Sequence, residues 1–481
     1  MRFILYLIFL IFSVPVLAQV NTIYVSPNGS DKYNGTQAKP LKTIEQALSM
    51  GRSKGYKKVS IHLLEGTYYL EQTVKINSET DSFEDLEIRS HENQRAIISA
   101  GKLLKPVWSH FKNGIYRTSV PKDISFEGLY VNGILQTMAR YPNRDTTKNI
   151  FDGTAEDATY YMRVLTWGNP FGGYVHALDE HERGSLHYKI TGVDDTDNVE
   201  LDGGWQNKNP LHMHNVYRFV ENILVELDAP GEWYHDKSVD ALYYYPETGT
   251  DMSNAVVEVS NLHTSFEITG TEVKPIKNVT LKDLHFRHNE RSFMKSNEYL
   301  LGSDWAVFRS GSVVLSNTEH CKIEDCTFIG QGGNAVVFNH TNKEDTVKGC
   351  LISNIGGSGI SLLGSPPTLI LTSERKSISV QDNLIQYVGQ IEKQGTAIHI
   401  NSISGLSIKN NTFFHTPGAG IKIENSKTEN IDLDLNDIFE DYLELKKDID
   451  KVEKLPGNGS KPISNSGVQK PTLKEMTIKF K

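Results

Sequence analysis

The sequence predicts an all-β chain, a right-handed parallel β-helix (solenoid) with a β-rich domain inserted into it. Two interleaved repeats and one interruption predict this. From Asn278 to Ile438 a phrase recurs: an apolar residue, a polar residue or glycine two places on, then Cys or Asn, then a second apolar residue two further. It reads Ile323-Asp325-Cys326-Phe328, Val347-Gly349-Cys350-Ile352, Val380-Asp382-Asn383-Ile385 and Ile408-Asn410-Asn411-Phe413. A weaker copy is Leu433-Leu435-Asn436-Ile438, and a degenerate earlier one is Leu281-Asp283-Leu284-Phe286. Steps of 24, 33, 28 and 25 residues from Ile323 onward are solenoid spacings, the longer turns carrying inserted loops.

The second repeat is a strand phrase. Asn334-Ala335-Val336-Val337-Phe338 matches Ser358-Gly359-Ile360-Ser361-Leu362, Thr396-Ala397-Ile398-His399-Ile400 and Ala419-Gly420-Ile421-Lys422-Ile423. Alternation points Val336, Ile360, Ile398 and Ile421 inward with Phe338, Leu362, Ile400 and Ile423. Each repeat then supplies short strands with one apolar face, which only stacking can bury. The same register places Asn383, Asn411 and Asn436 at one turn of successive coils, with Cys326 and Cys350 earlier in that column. An amide ladder would satisfy the turn backbone there. Coils about 4.8 Å apart admit a Cys326 to Cys350 bridge, but a regular stack favours a buried thiol ladder.

In chain order, residues 1–18 carry one charge, Arg2, before an apolar run from Phe3 to Phe12, and end at Val16-Leu17-Ala18. This is a signal-peptide pattern, too short for a transmembrane helix, so a secreted or periplasmic protein without stable membrane insertion is expected. The residue directly after Ala18 is Gln19 and not a cysteine, which argues against a lipid anchor. Residues 19–106 open the solenoid with a strand at Ile23-Tyr24-Val25, a polar turn and a short amphipathic helix capped near Thr43, which would cover the open end of the core. Strands follow at Val59 to Leu64, Tyr68 to Ile76, Leu86 to Ser90 and Ala96 to Ser99.

From Val107 to Gly270 the rhythm disappears. Aromatic-rich, hairpin-like runs such as Gly128-Leu129-Tyr130-Val131-Asn132-Gly133 and Leu242-Tyr243-Tyr244-Tyr245-Pro246 predict the inserted domain, bounded at 107–276. The main solenoid is expected over 277–439. Residues 440–481 read as a charged helix or tail, Glu440 to Lys454 alternating acid and base.

Composition narrows function by exclusion. A formal net charge of −9 gives no basic bias for nucleic acid. Three cysteines are too few for a disulfide scaffold or a four-ligand zinc site.

The opening Tyr24-Val25-Ser26-Pro27-Asn28-Gly29-Ser30-Asp31, the stretch Pro40-Leu41-Lys42-Thr43-Ile44 and the coils after residue 278 resemble bacterial β-helical carbohydrate-active proteins. That group includes pectinase-like and xylosidase- or fucosidase-like glycoside hydrolases and several polysaccharide lyases. A narrower likeness, to a branch with a domain inserted between early and later coils, is carried by Ala139-Arg140-Tyr141-Pro142-Asn143, Glu221-Asn222, the segment from Glu226 to Trp233, and Ser303-Asp304-Trp305-Ala306-Val307. The resemblance implies a monomer acting on a polysaccharide or oligosaccharide with no cofactor, calcium being the one ion an acidic pocket would suit. It also implies an acidic segment and an Asn-Ser-Trp-Gly-Arg-Asp string after the last regular coil. The chain departs there, running Glu440-Asp441-Tyr442-Leu443-Glu444-Leu445-Lys446.

Glycoside hydrolysis needs one protonated and one ionised carboxyl group. Asp304, inside the longest interval between coils, is the first candidate, although an Asp capping a turn beside a packed Trp explains it equally. Glu392, in an enlarged turn leading into a repeat strand, is the second; a solvated pair with Lys393 is the plainer account. His399 falls in the column of Val337, Ser361 and Lys422, which tolerates polar residues and so faces outward, where it would bond a sugar hydroxyl, tune an acid, or simply be a surface histidine. Trp305 on one side and Trp233 with Asp228 and Glu232 on the other would form cleft walls, or Trp233 packs the insertion against the solenoid. His399, Lys393, Tyr387 and Arg140 are the lyase alternatives as base or uronate partner. His212 and His214 lack a third ligand, so no metal is assigned. A carbohydrate-binding β-helix protein without turnover is the third class.

Overall fold

The computed structural model describes residues 20–122, 124–365, 378–403, 405–426, 431–434 and 436–439. The expected leader at 1–18 and the charged segment at 440–481 lie outside the described residues.

The repeats build a right-handed parallel β-helix of three sheets. Among the described residues the first sheet has nine strands, from Asn21–Val25 to Ile431–Asp434. The second runs from Gly66–Tyr69 to Asp437–Phe439 and the third from Val74–Asn77 to Ile421–Glu424. One coil shows the path. Lys322–Glu324 lies in the first sheet, Thr327–Gln331 in the second and Asn334–Lys343 in the third, and Thr346–Lys348 returns to the first one coil on.

The recurring phrase is the corner between the first and second sheets. Asp283, Asp325, Gly349, Asp382 and Asn410 hold φ between 54° and 67°, the left-handed region that Gly, Asn and Asp enter most readily. The residue after each corner from Cys326 onward then points inward and donates to a carbonyl of the preceding coil. Cys326 reaches Leu281, Cys350 reaches Ile323, Asn383 reaches Val347, Asn411 reaches Val380 and Asn436 reaches Ile408. The amides also bond along the column, Asn383 Nδ2 to Asn411 Oδ1 at 2.9 Å and Asn411 Nδ2 to Asn436 Oδ1 at 2.9 Å. All three cysteines are free and buried, so the thiol ladder and not the bridge is present. Burial pushes the Cys321 and Cys326 thiols far above their ordinary range, leaving them protonated.

The columns fill as alternation requires. Val336, Ile360 and Ile398 are buried in one row, and Phe338, Leu362 and Ile400 in the next. Phe286 stacks on Phe328 with centroids 4.7 Å apart and planes 5° from parallel. At the N-terminal end the helix Ile44–Ser53 buries Ile44, Ala47, Leu48 and Gly51 against this core, and Thr43 caps it by accepting from Gln46 N.

Two sequence expectations change. The strand expected from Tyr68 to Ile76 is two, Gly66–Tyr69 in the second sheet and Val74–Asn77 in the third, because the chain rounds a solenoid corner between them. The segment outside the solenoid sheets also starts earlier and ends earlier than 107–276. Its first strand is Lys102–Leu104 and its last Val257–Val259, whereas Phe266–Thr269 already pairs with Val74–Asn77 and Gly311–Glu319. That first returning strand precedes any copy of the corner phrase. The insertion's sheets, antiparallel but for the parallel pair Thr137–Met138 and Glu232–Asp236, close their own cores, one around Trp233, Phe126 and Tyr244 and another around Trp167, Val175 and Val220.

Candidate functional site

The third sheet carries the outward row Val314, Val337, Ser361, His399 and Lys422, one residue per coil. The interval between Arg287 and Gly311 folds across this row, its Leu300 and Val307 packing on Val314, Val337 and Leu363. Arg309 staples it down, pairing with Glu298 and donating to the Leu363 and Gly364 carbonyls. Where the loop ends, Trp305, Glu392, Gln394, His399 and Lys422 line one polar cleft. Its enclosed space is about 30 Å³, room for a water rather than a sugar ring, so a ring would lie across the mouth or displace lining side chains.

Glu392 is buried, and the loop supplies its partners: Ser292 Oγ at 2.7 Å and Ser296 Oγ at 2.9 Å. Burial raises its pKa against the opposing effect of those two hydroxyls. The account of Glu392 and Lys393 as a solvated pair therefore fails. Lys393 turns away toward the insertion, its ammonium 5.0 Å from the Phe151 ring centroid, and burial pushes it down to about 8.

His399 does face outward, and Glu424, on the next strand, accepts from its Nε2 at 2.9 Å while accepting from Lys422 Nζ at 2.8 Å. Burial opposes ionisation of Glu424, but the His399 hydrogen bond and the Lys422 charge hold it at about 2. Burial lowers His399 in turn. The imidazole is then a neutral donor at neutral pH, and Lys422 is the cation that keeps Glu424 charged. Glu424 was missed by sequence reading, although the alternation that turns Lys422 outward turns Glu424 outward too.

The insertion contributes no residue to the cleft lining but braces the turn beside it. Ser185 accepts from Lys393 N at 2.9 Å and lies 3.1 Å from the Ile391 carbonyl, holding the turn that carries Glu392. Gln394 Oε1 accepts from Ser185 N, while Gln394 Nε2 is buried without a partner. Behind Ser185 a buried relay runs through His187 and His176 to Glu221, which is clamped by Arg291 of the solenoid loop. Burial would raise Glu221, yet Arg291 and His176 pull it far below the carboxylate range.

Trp305 takes the position expected of a cleft wall, but its indole packs on Gly184, where an added Cβ would meet Trp305 Cζ2 at 2.5 Å. Gly184→Ala is accordingly expected to cost about 1–3 kcal/mol and to shift tryptophan emission, both read in one denaturant titration followed by fluorescence.

The other sequence candidates lie elsewhere. Asp304 is not among the lining residues; it is half-exposed and paired with Lys208 at 2.6 Å, so no Asp304–Glu392 pair faces this cleft. Trp233 is 1% exposed and stacks on Phe126, which removes it as a sugar platform in favour of packing. Arg140 is buried and donates to the Pro142, Phe151 and Gly153 carbonyls. Asp228 accepts from Asn143 on the surface, and Glu232 caps the adjacent turn through Asp228 N and Ala229 N. Burial pushes Glu232 up to about 7, and it too is absent from the cleft lining. His212 and His214 gain no third ligand, and no group of three or more His, Cys, Asp or Glu able to hold a metal occurs among the described residues. Among those residues no helix is long and apolar enough to cross a membrane.

Comparison with known proteins supports the fold. Residues 235–373 match the family model described as "Right handed beta helix region". The curated "Uncharacterized protein YwoF" of Bacillus subtilis (strain 168) is 30% identical over 112 residues, 23% of this chain and 22% of that one. The match thus spans about a fifth of that relative's length. A solved structure described as "Glycoside hydrolase" superposes with a TM-score of 0.71 at 19% identity, covering 84% of this chain and 80% of that one.

Proposed function

We propose that this protein is an exported glycan-active enzyme, a glycoside hydrolase that acts as a monomer on a polysaccharide or oligosaccharide. The observation that supports it is the opposite displacement of two carboxyl groups, Glu392 lining the cleft and Glu424 bonded to the lining residues His399 and Lys422. Glu392 is raised by burial and Glu424 is held at about 2 by His399 and Lys422, and divergent pKa values of this kind divide acid from base. In this reading Glu392 gives its proton to the glycosidic oxygen as the C–O bond breaks. Glu424 stays ionised and either takes a proton from the attacking water or attacks the anomeric carbon. The enclosed space fits that water, and Gln394 Nε2 is a free donor for a sugar hydroxyl. The glycoside-hydrolase likeness in fold agrees with this reading, and the apolar run at residues 3–12 supports export.

A lyase reading has one observation in its favour, Lys393 at about 8, a suitable base near neutral pH. One assay separates them: the purified protein on a panel of neutral and acidic glycans, followed both by new reducing ends and by the ultraviolet absorbance of an unsaturated product. Hydrolysis gives reducing ends without absorbance, and Asp304→Asn keeps the parent rate. Absorbance would transfer the role to Lys393, and loss of rate in Asp304→Asn would restore the aspartate. Glycan affinity with no product of either kind would leave a binding protein.

A further inference from the structure

A second cavity lies away from this cleft, between the outer face of the second sheet and the first sheet of the insertion. Its volume is about 370 Å³, within the range of about 300–1,000 Å³ that small ligands occupy. Tyr69 and Arg287 stand on the outward row of the second sheet, in register through Ser99. Glu258 faces them from the strand Val257–Val259 of the insertion, and the turn Asn132-Gly133 forms the rim.

The polar groups here are unevenly satisfied. Glu258 Oε1 accepts from the Tyr69 hydroxyl at 2.6 Å, leaving its second oxygen 3.7 Å from His288 Nε2. His288 is 2% exposed; its Nδ1 is spent on Ser99 Oγ at 2.9 Å, while its Nε2 is buried with no hydrogen-bond partner. A buried ring nitrogen left unpaired costs free energy that a ligand hydroxyl would recover. At the rim, half-buried Arg287 has no carboxylate within 4.0 Å among the described residues, Glu258 across the cavity acting on it only at longer range. Exposed Arg95 adds a second positive charge beside it, so burial and Arg95 together lower Arg287. Gly133, at φ 76°, brings the turn against the guanidinium, where an added Cβ would stand 3.3 Å from Nη1.

We propose that this cavity is a separate binding site for a sugar bearing an oxyanion, a carboxylate or a sulfate ester. The hydroxyls reach Glu258 and His288 within, and the oxyanion is held at the mouth by Arg287. The sugar part rests on the proposed glycan reading, while the oxyanion part rests on Arg287.

The test is calorimetric titration of the full chain with four probes: an oligogalacturonate, a sulfated galactan oligomer, an uncharged xylo-oligomer and inorganic sulfate. Each is titrated into the parent, Arg287→Gln, Arg95→Gln and Glu392→Gln. At least one charged oligomer is expected to bind, weakening at least tenfold in Arg287→Gln and about threefold in Arg95→Gln, and weakening with salt. Glu392→Gln should bind it as the parent does, so failure of the hydrolase reading leaves this result standing. Which charged oligomer binds identifies carboxylate or sulfate. The proposal is overturned if no charged oligomer binds, if the uncharged oligomer binds equally well, or if Arg287→Gln binds like the parent. Inorganic sulfate matching the oligomers would overturn the sugar part. Should Arg287→Gln fail to fold, exposed Arg95→Gln and the salt dependence of the parent decide, absence of both effects overturning the proposal.

Discussion

Glu392→Gln and Glu424→Gln are each expected to lower turnover by about 10²–10⁴-fold, the range for losing a positioned acid or base. Neither should unfold the protein. The glutamine amide at 392 can accept from one serine and donate to the other, and at 424 it can still accept from His399. Rates on whichever glycan proves to be the substrate, beside thermal unfolding, check both points. Unaltered turnover in either variant removes that residue from the chemistry. The pH profile has a definite sign. As pH falls toward about 2, Glu424 takes up a proton and activity is lost. As pH rises past the raised pKa of Glu392, the proton donor is lost and activity falls again. The active window lies between, and Glu392→Gln should abolish its alkaline limb in whatever activity remains.

Phe328→Ala is expected to destabilise the chain by about 3–5 kcal/mol, the usual range for removing a buried phenylalanine. Phe328 is fully buried and lies flat on Phe286 of the preceding coil, and the coils on either side cannot collapse into the space without breaking register. Denaturant unfolding followed by far-ultraviolet dichroism measures it. A cost below about 1 kcal/mol would mean that the stack relaxes freely.

The coils were legible because each repeat states its corner and its inward row in residues a few places apart. Asp382-Asn383 shows a left-handed corner followed by a ladder amide, and Ile398-His399-Ile400 gives the face of each residue. His399 and Lys422 were therefore placed outward correctly. What joins residues far apart in sequence was not legible. Ser292 and Ser296 meet Glu392 about a hundred residues on, and Ser185 meets Lys393 across 208 positions. Nothing near Asp304 in sequence revealed Lys208 as its partner. Trp233 was ambiguous for a physical reason: an aromatic beside Pro230-Gly231 suits a binding wall and a core equally, and only the stack on Phe126 decides. The insertion's boundary was misplaced because Phe266–Thr269 has a strand's alternation but no corner phrase beside it.

The column of corner side chains also has a direction. Each rung grips a carbonyl of the coil made before it, and from Cys350 onward the amide of the following coil completes it, Asn383 Oδ1 accepting from Cys350 N and Asn411 Oδ1 from Asn383. Folding can then proceed vectorially from the N-terminal end, each new turn being read against its predecessor and closing that turn's last donors. An error in one rung would be inherited by the turns that follow and would leave the turn just before it with unpaired donors.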